Sequence, residues 1–162
     1  NFNSLTKNFF LIDTFEGIPE KNLMEKDNRY NDKYNKLGVL EISSDNLNKK
    51  VNYQDNNILN LVKEKFKGDK VKIIKGIVPD DLKKINSNKF SFIHIDMNNA
   101  FPEVESIKYF WDKLVIGGVV LLDDYAYSDY YSLQKESIDA LGKVLNFSVI
   151  TLPSGQGLIL KN

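Results

Sequence analysis

The sequence predicts an α/β domain with a parallel sheet that ends in an antiparallel hairpin. Short apolar runs that end in a polar residue alternate with segments whose apolar residues recur at helical spacing. This alternation is typical of parallel strands joined by right-handed helical crossovers. The Pro-Ser-Gly-Gln-Gly turn at 153–157 makes the last two strands antiparallel. Because 162 residues is the size of one domain, we expect a single domain over 1–162.

The elements follow from the spacing of apolar residues and from Gly and Pro signals. The predicted strands cover residues 9–12, 71–74, 90–95, 119–122, 147–152 and 158–160. The predicted helices cover residues 55–66, 80–85, 102–114 and 132–145. Pro102 suits the first turn of the third helix, and Gly117 with Gly118 is predicted to close that helix. Residues 20–54 are polar and rich in Asn and Lys, which indicates a lid or insertion.

Composition and charge exclude several classes of function. The 22 basic and 22 acidic side chains cancel, so the chain has no net basic field to hold a nucleic-acid backbone. The absence of cysteine excludes disulfides and thiolate metal sites and is consistent with a cytoplasmic protein. The longest apolar stretch, 115–122, is too short to span a membrane.

Aspartates follow three of the predicted strands, at the edge of the sheet where parallel sheets bind ligands. Asp13 follows the first of these strands. An acidic residue there is suited to accept hydrogen bonds from ribose hydroxyls, and it is equally suited to cap a loop. Position alone leaves both interpretations open.

Asp96 and the pair Asp123 and Asp124 follow two neighbouring strands, so we expect their carboxylates to share one rim. Three carboxylates at close range repel one another unless a cation or protons compensate. Oxygen ligands of this kind favour Mg²⁺, Mn²⁺ or Ca²⁺ over zinc. The alternative is that one or two of them cap the helices that follow.

Other side chains near this rim have more than one interpretation. His94, two residues before Asp96, is predicted to be a buried core histidine, with a role beside the metal or as a base as alternatives. An aromatic segment after the paired aspartates is predicted to line an acceptor pocket, with packing under a loop as the alternative. It contains Tyr125, Tyr127, Tyr130 and Tyr131. Strand 119–124 is similar to a Walker B strand, but no Gly-Lys-Ser/Thr phosphate loop accompanies it.

Four motifs in order carry a family resemblance. They are Asp-Thr-Phe-Glu-Gly-Ile-Pro-Glu at 13–20, Ile-His-Ile-Asp at 93–96, Gly-Gly at 117–118 followed by Asp-Asp-Tyr at 123–125, and Leu-Pro-Ser-Gly-Gln-Gly-Leu-Ile at 152–159. With these motifs the chain resembles the macrocin O-methyltransferase family, metal-dependent enzymes that methylate sugar hydroxyls. The last motif is similar to relatives from bacterial surface-polysaccharide clusters.

The resemblance implies a Rossmann-like class I methyltransferase sheet with strand order 3-2-1-4-5-7-6. On that alignment the chain is the C-terminal two-thirds of the domain and begins just before strand 2. We therefore expect strand 1 and its glycine-rich loop to be missing from this chain, which alone would bind S-adenosylmethionine (SAM) weakly and be inactive. The exposed sheet positions would then favour pairing with another chain, as in a homo-oligomer.

The resemblance also implies roles for individual residues. Asp13, with the adjoining Thr14 and Phe15, matches the region that meets the ribose of SAM, and Gly76 with Ile77 matches the loop near the adenine. Asp96, Asp123 and Asp124 match the metal ligands, and Asp96 also matches the general base. Tyr125 and Tyr127 are the residues predicted to contact the acceptor.

The expected function is transfer of a methyl group from SAM to a hydroxyl of a sugar or a similar small molecule, with the help of a divalent metal. The alternative is a non-catalytic, truncated methyltransferase-like module for binding or assembly, which the absent glycine loop favours. Retention of the three rim aspartates favours the enzyme.

Overall fold

The computed structural model describes residues 6–17, 19 and 58–162, except for the side chain of Tyr130. The predicted lid at 20–54 and the first residues of the predicted helix at 55–66 lie outside this part. The strands are β1 (Phe9–Asp13), β2 (Val71–Lys75), β3 (Phe90–Ile95), β4 (Leu114–Leu122), β5 (Ile150–Thr151) and β6 (Gly157–Leu160). The helices are α1 (Ile58–Lys65), α2 (Ala100–Trp111) and α3 (Ser132–Leu145), with 3₁₀ turns at Leu82–Lys84 and Asp129–Tyr131.

The strands form two hydrogen-bonded groups. β1 and β2 pair in parallel, and β3, β4, β6 and β5 form a second sheet in that order. Within the second sheet β3 and β4 are parallel, whereas β6 is antiparallel to both β4 and β5. The predicted α/β class with parallel strands and a terminal antiparallel hairpin is therefore confirmed.

Side chains join the two groups of strands. The rings of Phe10 in β1 and Phe90 in β3 pack edge to face with their centroids 6.2 Å apart. Ile12, Ile74 and Ile93 belong to the same apolar cluster. Among the described residues no backbone pairing joins β1 to β3. The resemblance assigns strand 1 to that position.

One face of the larger sheet packs against α2 and α3. Strand alternation directs alternate residues of β3, β4 and β6 to this face, and they share a core with both helices. The buried members of that core are Ile95, Ile107, Leu114, Val120, Leu122, Tyr125, Ile138, Leu141 and Ile159. The neighbouring residues point to the opposite face, where the side chain of Phe92 is 57% exposed.

The third predicted helix begins two residues before its predicted start at Pro102 and ends three residues before its predicted end at Leu114. Asn99 caps α2 by accepting a hydrogen bond from the Phe101 N–H at 3.3 Å, and Pro102 lies in the first turn. The helix ends at Trp111 rather than at Leu114, because the Lys113 N–H turns back to the Phe110 carbonyl. Leu114 is instead the buried first residue of β4.

Gly117 and Gly118 lie inside β4 and do not close the helix. The pairing of β3 with β4 shifts register between Phe90 and Phe92, so β4 bulges next to the two glycines. Gly117 has a φ of +76°, and a Cβ on Gly118 would lie 2.7 Å from the Val115 carbonyl oxygen. The glycines are therefore needed for the bulge rather than for a helix cap.

The last helix has its predicted bounds, because Asn146 adopts a left-handed conformation and ends it. The strand predicted at 147–152 is shorter and begins at Ile150, since the Phe147 N–H still donates to the Gly142 carbonyl. None of the helices in the described ranges is long and apolar enough to cross a bilayer.

Candidate metal centre and active site

Asp96, Asp123 and Asp124 meet at the C-terminal ends of β3 and β4. The Asp123 N–H donates to the Ile95 carbonyl, which continues the strand pairing and sets the two strand ends side by side. One carboxylate oxygen from each aspartate lies within 4.8 Å of the other two. Neighbouring parallel strands that both end in aspartate are sufficient to produce this cluster.

The cluster is electrostatically strained. The pKa of Asp124 is raised to about 6, first by burial and then by the charges of Asp123 and Asp96. The pKa of Asp96 is raised as well, by loss of solvent around its carboxylate and then by Asp123, although the residue as a whole stays accessible to water. A cation between these groups would favour their charged forms and reverse both shifts.

Two further side chains approach Asp123. The Gln156 amide, from the turn between β5 and β6, donates through Nε2 to Asp123 Oδ1 at 2.7 Å. His94 Nε2 lies 3.6 Å from the same oxygen, and the His94 side chain is 45% exposed. The prediction of a buried core histidine is therefore wrong, because His94 points away from the helices, as Phe92 does. In the sequence Gln156 was noted only as part of the motif at 152–159, and no role at the acidic cluster was predicted for it.

Asn98 and Tyr131 connect the other two aspartates. The Asn98 amide donates to Asp96 Oδ1 at 3.3 Å, and the Tyr131 hydroxyl donates to Asn98 Oδ1 at 3.0 Å. The same hydroxyl is within hydrogen-bonding reach of Asp124, where it lowers the carboxyl pKa against the larger effects that raise it. Sequence reasoning identified Tyr131 only as one member of an aromatic segment, and it missed Asn98.

The residues implied for cofactor binding form a second cluster at the ends of β1 and β2. Asp13 Oδ1 accepts the Phe15 N–H at 2.5 Å, and the Thr14 hydroxyl donates to the Gly17 carbonyl at 2.6 Å. These bonds shape a tight turn in which Phe15 is buried with a φ of +56°. Asp13 thus caps the loop that follows it, which is the second of the two interpretations of this residue.

Gly76 and Ile77 adjoin that turn. The Gly76 N–H donates to the Asp13 carbonyl at 3.0 Å, so the two loops contact each other directly. The Ile77 N–H donates to Asp81 Oδ2 at 2.7 Å, and a Cβ on Gly76 would lie 2.6 Å from the Asp81 Cβ. The charge of Asp13 also contributes to the raised pKa of Asp96, so the two clusters are close enough for their charges to interact.

Tyr125 and Tyr127 have different environments. Tyr125 is 4% exposed and belongs to the core, and its hydroxyl bonds to Asp139 and Lys135 on α3. The prediction that it lines an acceptor pocket is therefore corrected: after two polar aspartates the chain turns back and buries the ring under α3. Tyr127 is 68% exposed, and its ring packs edge to face on Tyr131 at 6.3 Å.

The donor set of the acidic cluster fits a hard divalent cation. Ligands on opposite sides of Mg²⁺ are about 4.2 Å apart, and those around Ca²⁺ are about 4.6–5.2 Å apart, taking twice the usual bond lengths. The 4.8 Å limit of the cluster lies inside the range for Ca²⁺. For Mg²⁺ an opposite pair at that limit would have to approach by about 0.6 Å, and adjacent ligands, which are about 3.0 Å apart, would have to approach further. Each carboxylate has two oxygens, so the bonds to Gln156 and Asn98 are compatible with metal ligation.

Comparisons with solved structures show the same fold in known methyltransferases. The solved O-methyltransferase NovP superposes with a TM-score of 0.65 at 17% identity, over 98% of this chain and 62% of NovP. The calicheamicin methyltransferase CalS11 superposes with a TM-score of 0.57 at 13% identity, over 94% of this chain and 60% of CalS11. The chain thus spans about three-fifths of each of these proteins, and the fold is that of class I methyltransferases.

Comparison with curated protein sequences gives no match. The sequence model of the Macrocin-O-methyltransferase (TylF) family, in contrast, matches residues 2–138. That range includes the loop at Asp13, the Gly76–Ile77 turn and the acidic rim. The chain therefore belongs to the macrocin-O-methyltransferase family.

Proposed function

We propose that the complete gene product is a SAM-dependent O-methyltransferase that uses a divalent cation to methylate a hydroxyl of a sugar or a similar small molecule. The observation that carries this proposal is the convergence of Asp96, Asp123 and Asp124 within 4.8 Å. The neighbouring loops at Asp13 and Gly76 are where the family relationship would put SAM. The metal would be Mg²⁺, with Mn²⁺ or Ca²⁺ as alternatives.

The reaction would be a direct displacement. The acceptor oxygen would form a bond to the methyl carbon of SAM as the carbon–sulfur bond breaks, and a carboxylate oxygen of Asp96 would take the proton of the acceptor hydroxyl. Bound SAM supplies the methyl group on a sulfonium centre whose product is a neutral thioether. Asp96 is suited to the proton transfer because its carboxylate lies in the acidic cluster, next to the position where the metal would hold the acceptor hydroxyl.

A divalent cation held by the three aspartates would supply Lewis-acid polarisation of the acceptor hydroxyl. The residues of the chain would bind and orient the reactants. The Gln156 amide orients Asp123, and the exposed ring of Tyr127 would form one wall of the acceptor site. Orientation of two reactants is worth roughly 7–11 kcal/mol of barrier, so a fixed rim is a large part of the catalysis we propose.

The cofactor side would depend on the two turns. We propose that Asp13, Thr14 and Phe15 form the loop that meets the ribose, and that Gly76 and Ile77 approach the adenine. These proposed roles are supported by the direct contact between the two loops at the ends of β1 and β2.

We further propose that residues 1–162 form one domain, with 20–54 as a lid or an insertion. A cytoplasmic location would agree with the absence of cysteine from the chain. A homo-oligomer stays a prediction.

The test is methyl transfer by the complete gene product from SAM to a panel of sugar hydroxyl acceptors, with and without EDTA. We expect product only with Mg²⁺ or Mn²⁺, and loss of metal-dependent turnover in Asp123→Asn. Asp112→Asn, a change at an exposed residue that ends α2, is the control and retains full activity. Undiminished turnover in EDTA would refute the role of the metal.

A further inference from the structure

Glu103 is an acidic residue buried under the acidic rim, and the reaction proposed above does not use it. It lies in the first turn of α2 and is 5% exposed. Three polar side chains are buried near it, on α2, on α3 and at the start of α2: Ser106, Gln134 and Asn99. Acidic side chains are rarely buried so completely unless they are bound to specific partners.

The Glu103 carboxylate turns back to the loop that follows Asp96. Its Oε1 accepts the Met97 N–H at 3.4 Å, a long hydrogen bond to the residue next to Asp96. The Asn99 N–H also faces the carboxylate and, like that of Met97, favours its charged form. The arrangement resembles a capping box in which an acidic side chain reaches back to N–H groups before the helix.

The loop needs such a partner because its backbone is unusual. Asn98 has a φ of +53°, which is uncommon for a residue other than glycine, and Asn99 returns to an extended conformation before α2 begins. Residues 96–99 therefore reverse direction within one short turn. Without Glu103, the N–H groups of Met97 and Asn99 would lose their acceptor at a site where Asn99 is 1% exposed.

Burial of the Glu103 carboxyl group is unfavourable for folding. Burial raises the pKa of Glu103 to about 8, and the backbone N–H of Met97 only partly opposes it. Gln134 faces the same carboxyl, but its Nε2, like Asn99 Nδ2 and Ser106 Oγ, completes no hydrogen bond with good geometry to any described residue. An apolar side chain of similar size would be cheaper to bury. An apolar side chain, however, would have no oxygen to accept the hydrogen bond from the Met97 N–H.

We propose that Glu103 is a positioning residue: it holds the turn 96–99 so that the Asp96 carboxylate faces Asp123 and Asp124. This inference rests on the proposed metal-assisted transfer for its functional meaning. Glu103 does not itself touch the metal or the acceptor. It acts through the backbone of Met97, one residue from the proposed ligand and base.

Three variants of Glu103 in the complete gene product test this. Glu103→Gln keeps an acceptor oxygen at the same reach, Glu103→Met keeps the volume without the acceptor, and Glu103→Asp keeps the acid but withdraws it by one methylene. Glu105→Gln is the matched control, because Glu105 lies on the same helix and pairs with Lys108 at the surface. Amide hydrogen exchange at Met97 and Asn99 in metal-free protein, Mn²⁺ affinity by electron paramagnetic resonance, and the melting temperature are measured for each.

We expect faster exchange at Met97 and Asn99 in the Met and Asp variants, and a loss of Mn²⁺ affinity of about 10–100-fold, as is usual when a support of a metal ligand is removed. Glu103→Gln should recover most of the affinity and the slow exchange. Glu105→Gln should match the parent protein. A role in packing alone would lower the melting temperature of the Met variant without moving the affinity of folded protein.

Parent-like Mn²⁺ affinity and parent-like exchange in folded Glu103→Met would overturn the proposal. If that variant does not fold, Glu103→Asp and Glu103→Gln decide by the same two measurements. If the parent protein itself binds no Mn²⁺, the proposed function fails, and the exchange rates at Met97 still show whether Glu103 holds the turn.

Discussion

Gln156 donates through Nε2 to Asp123 Oδ1 at 2.7 Å and thereby ties the β5–β6 turn to the acidic rim. The Ser154 hydroxyl donates to the other end of the same amide, at Gln156 Oε1, over 2.9 Å. The amide is therefore oriented with its nitrogen toward Asp123. The β5–β6 hairpin thus contributes to the site, in addition to forming one edge of the larger sheet.

Gln156→Leu should weaken Mn²⁺ binding by about 10-fold, because Asp123 loses the donor that orients its carboxylate. Titration calorimetry on the parent and the variant measures this directly. Thr151→Val, at an exposed position of the same hairpin, serves as the control and should bind like the parent. Equal affinity in all three proteins would show that the 2.7 Å contact does not support a metal site.

Asp124→Asn should affect stability in opposite ways with and without metal. In EDTA the variant should be as stable as the parent or more stable, because one of three repelling carboxylates is gone. In Mg²⁺ at 100 times its dissociation constant the parent should gain about 2.7 kcal/mol in the free energy of unfolding, and the variant should gain much less. Chemical denaturation in both buffers measures the difference. A variant that gains as much as the parent would contradict ligation by Asp124.

Glu103 should make the protein less stable as pH rises. Its pKa is about 8 in the folded protein against an ordinary value of 4.5, so the folded state holds the extra proton between these values. The free energy of unfolding therefore falls through that window, by up to about 1.4 kcal/mol per pH unit, and the loss is complete above pH 8. Glu103→Gln should flatten the profile between pH 5 and 8 in urea denaturation with EDTA. Parallel profiles for the two proteins would contradict a neutral buried Glu103.

Much of the fold was predictable because it depends on short-range patterns. Apolar runs that end in aspartate located β3 and the end of β4, and the Pro-Ser-Gly-Gln-Gly turn located the antiparallel hairpin. The clustering of Asp96 with Asp123 and Asp124 followed from the rule that neighbouring parallel strands end at one edge. These inferences needed no knowledge of side-chain packing.

The remaining features depend on contacts between distant residues. Gly117 and Gly118 have the pattern of a helix end, and only the pairing of β4 with β3 shows that they form a bulge within a strand. Glu103 and Gln156 are 7 and 33 residues from the aspartates that they support, so no local pattern marks them. The face toward which a tyrosine points after a sharp turn is also decided by packing, as Tyr125 shows.

Tyr125 and Tyr127 should therefore respond to mutation in opposite ways. Tyr125→Phe keeps the buried ring and removes the hydroxyl shared with Asp139 and Lys135, which should cost about 1 kcal/mol of stability and leave the KM for the acceptor unchanged. Tyr127→Ala removes a ring that is 68% exposed, so its stability should change little while the KM for the acceptor rises. Urea denaturation and steady-state kinetics on the complete gene product separate the two effects. If the KM for the acceptor rose in Tyr125→Phe and stayed unchanged in Tyr127→Ala, Tyr125 rather than Tyr127 would contact the acceptor. That result would contradict the orientation of the loop described above.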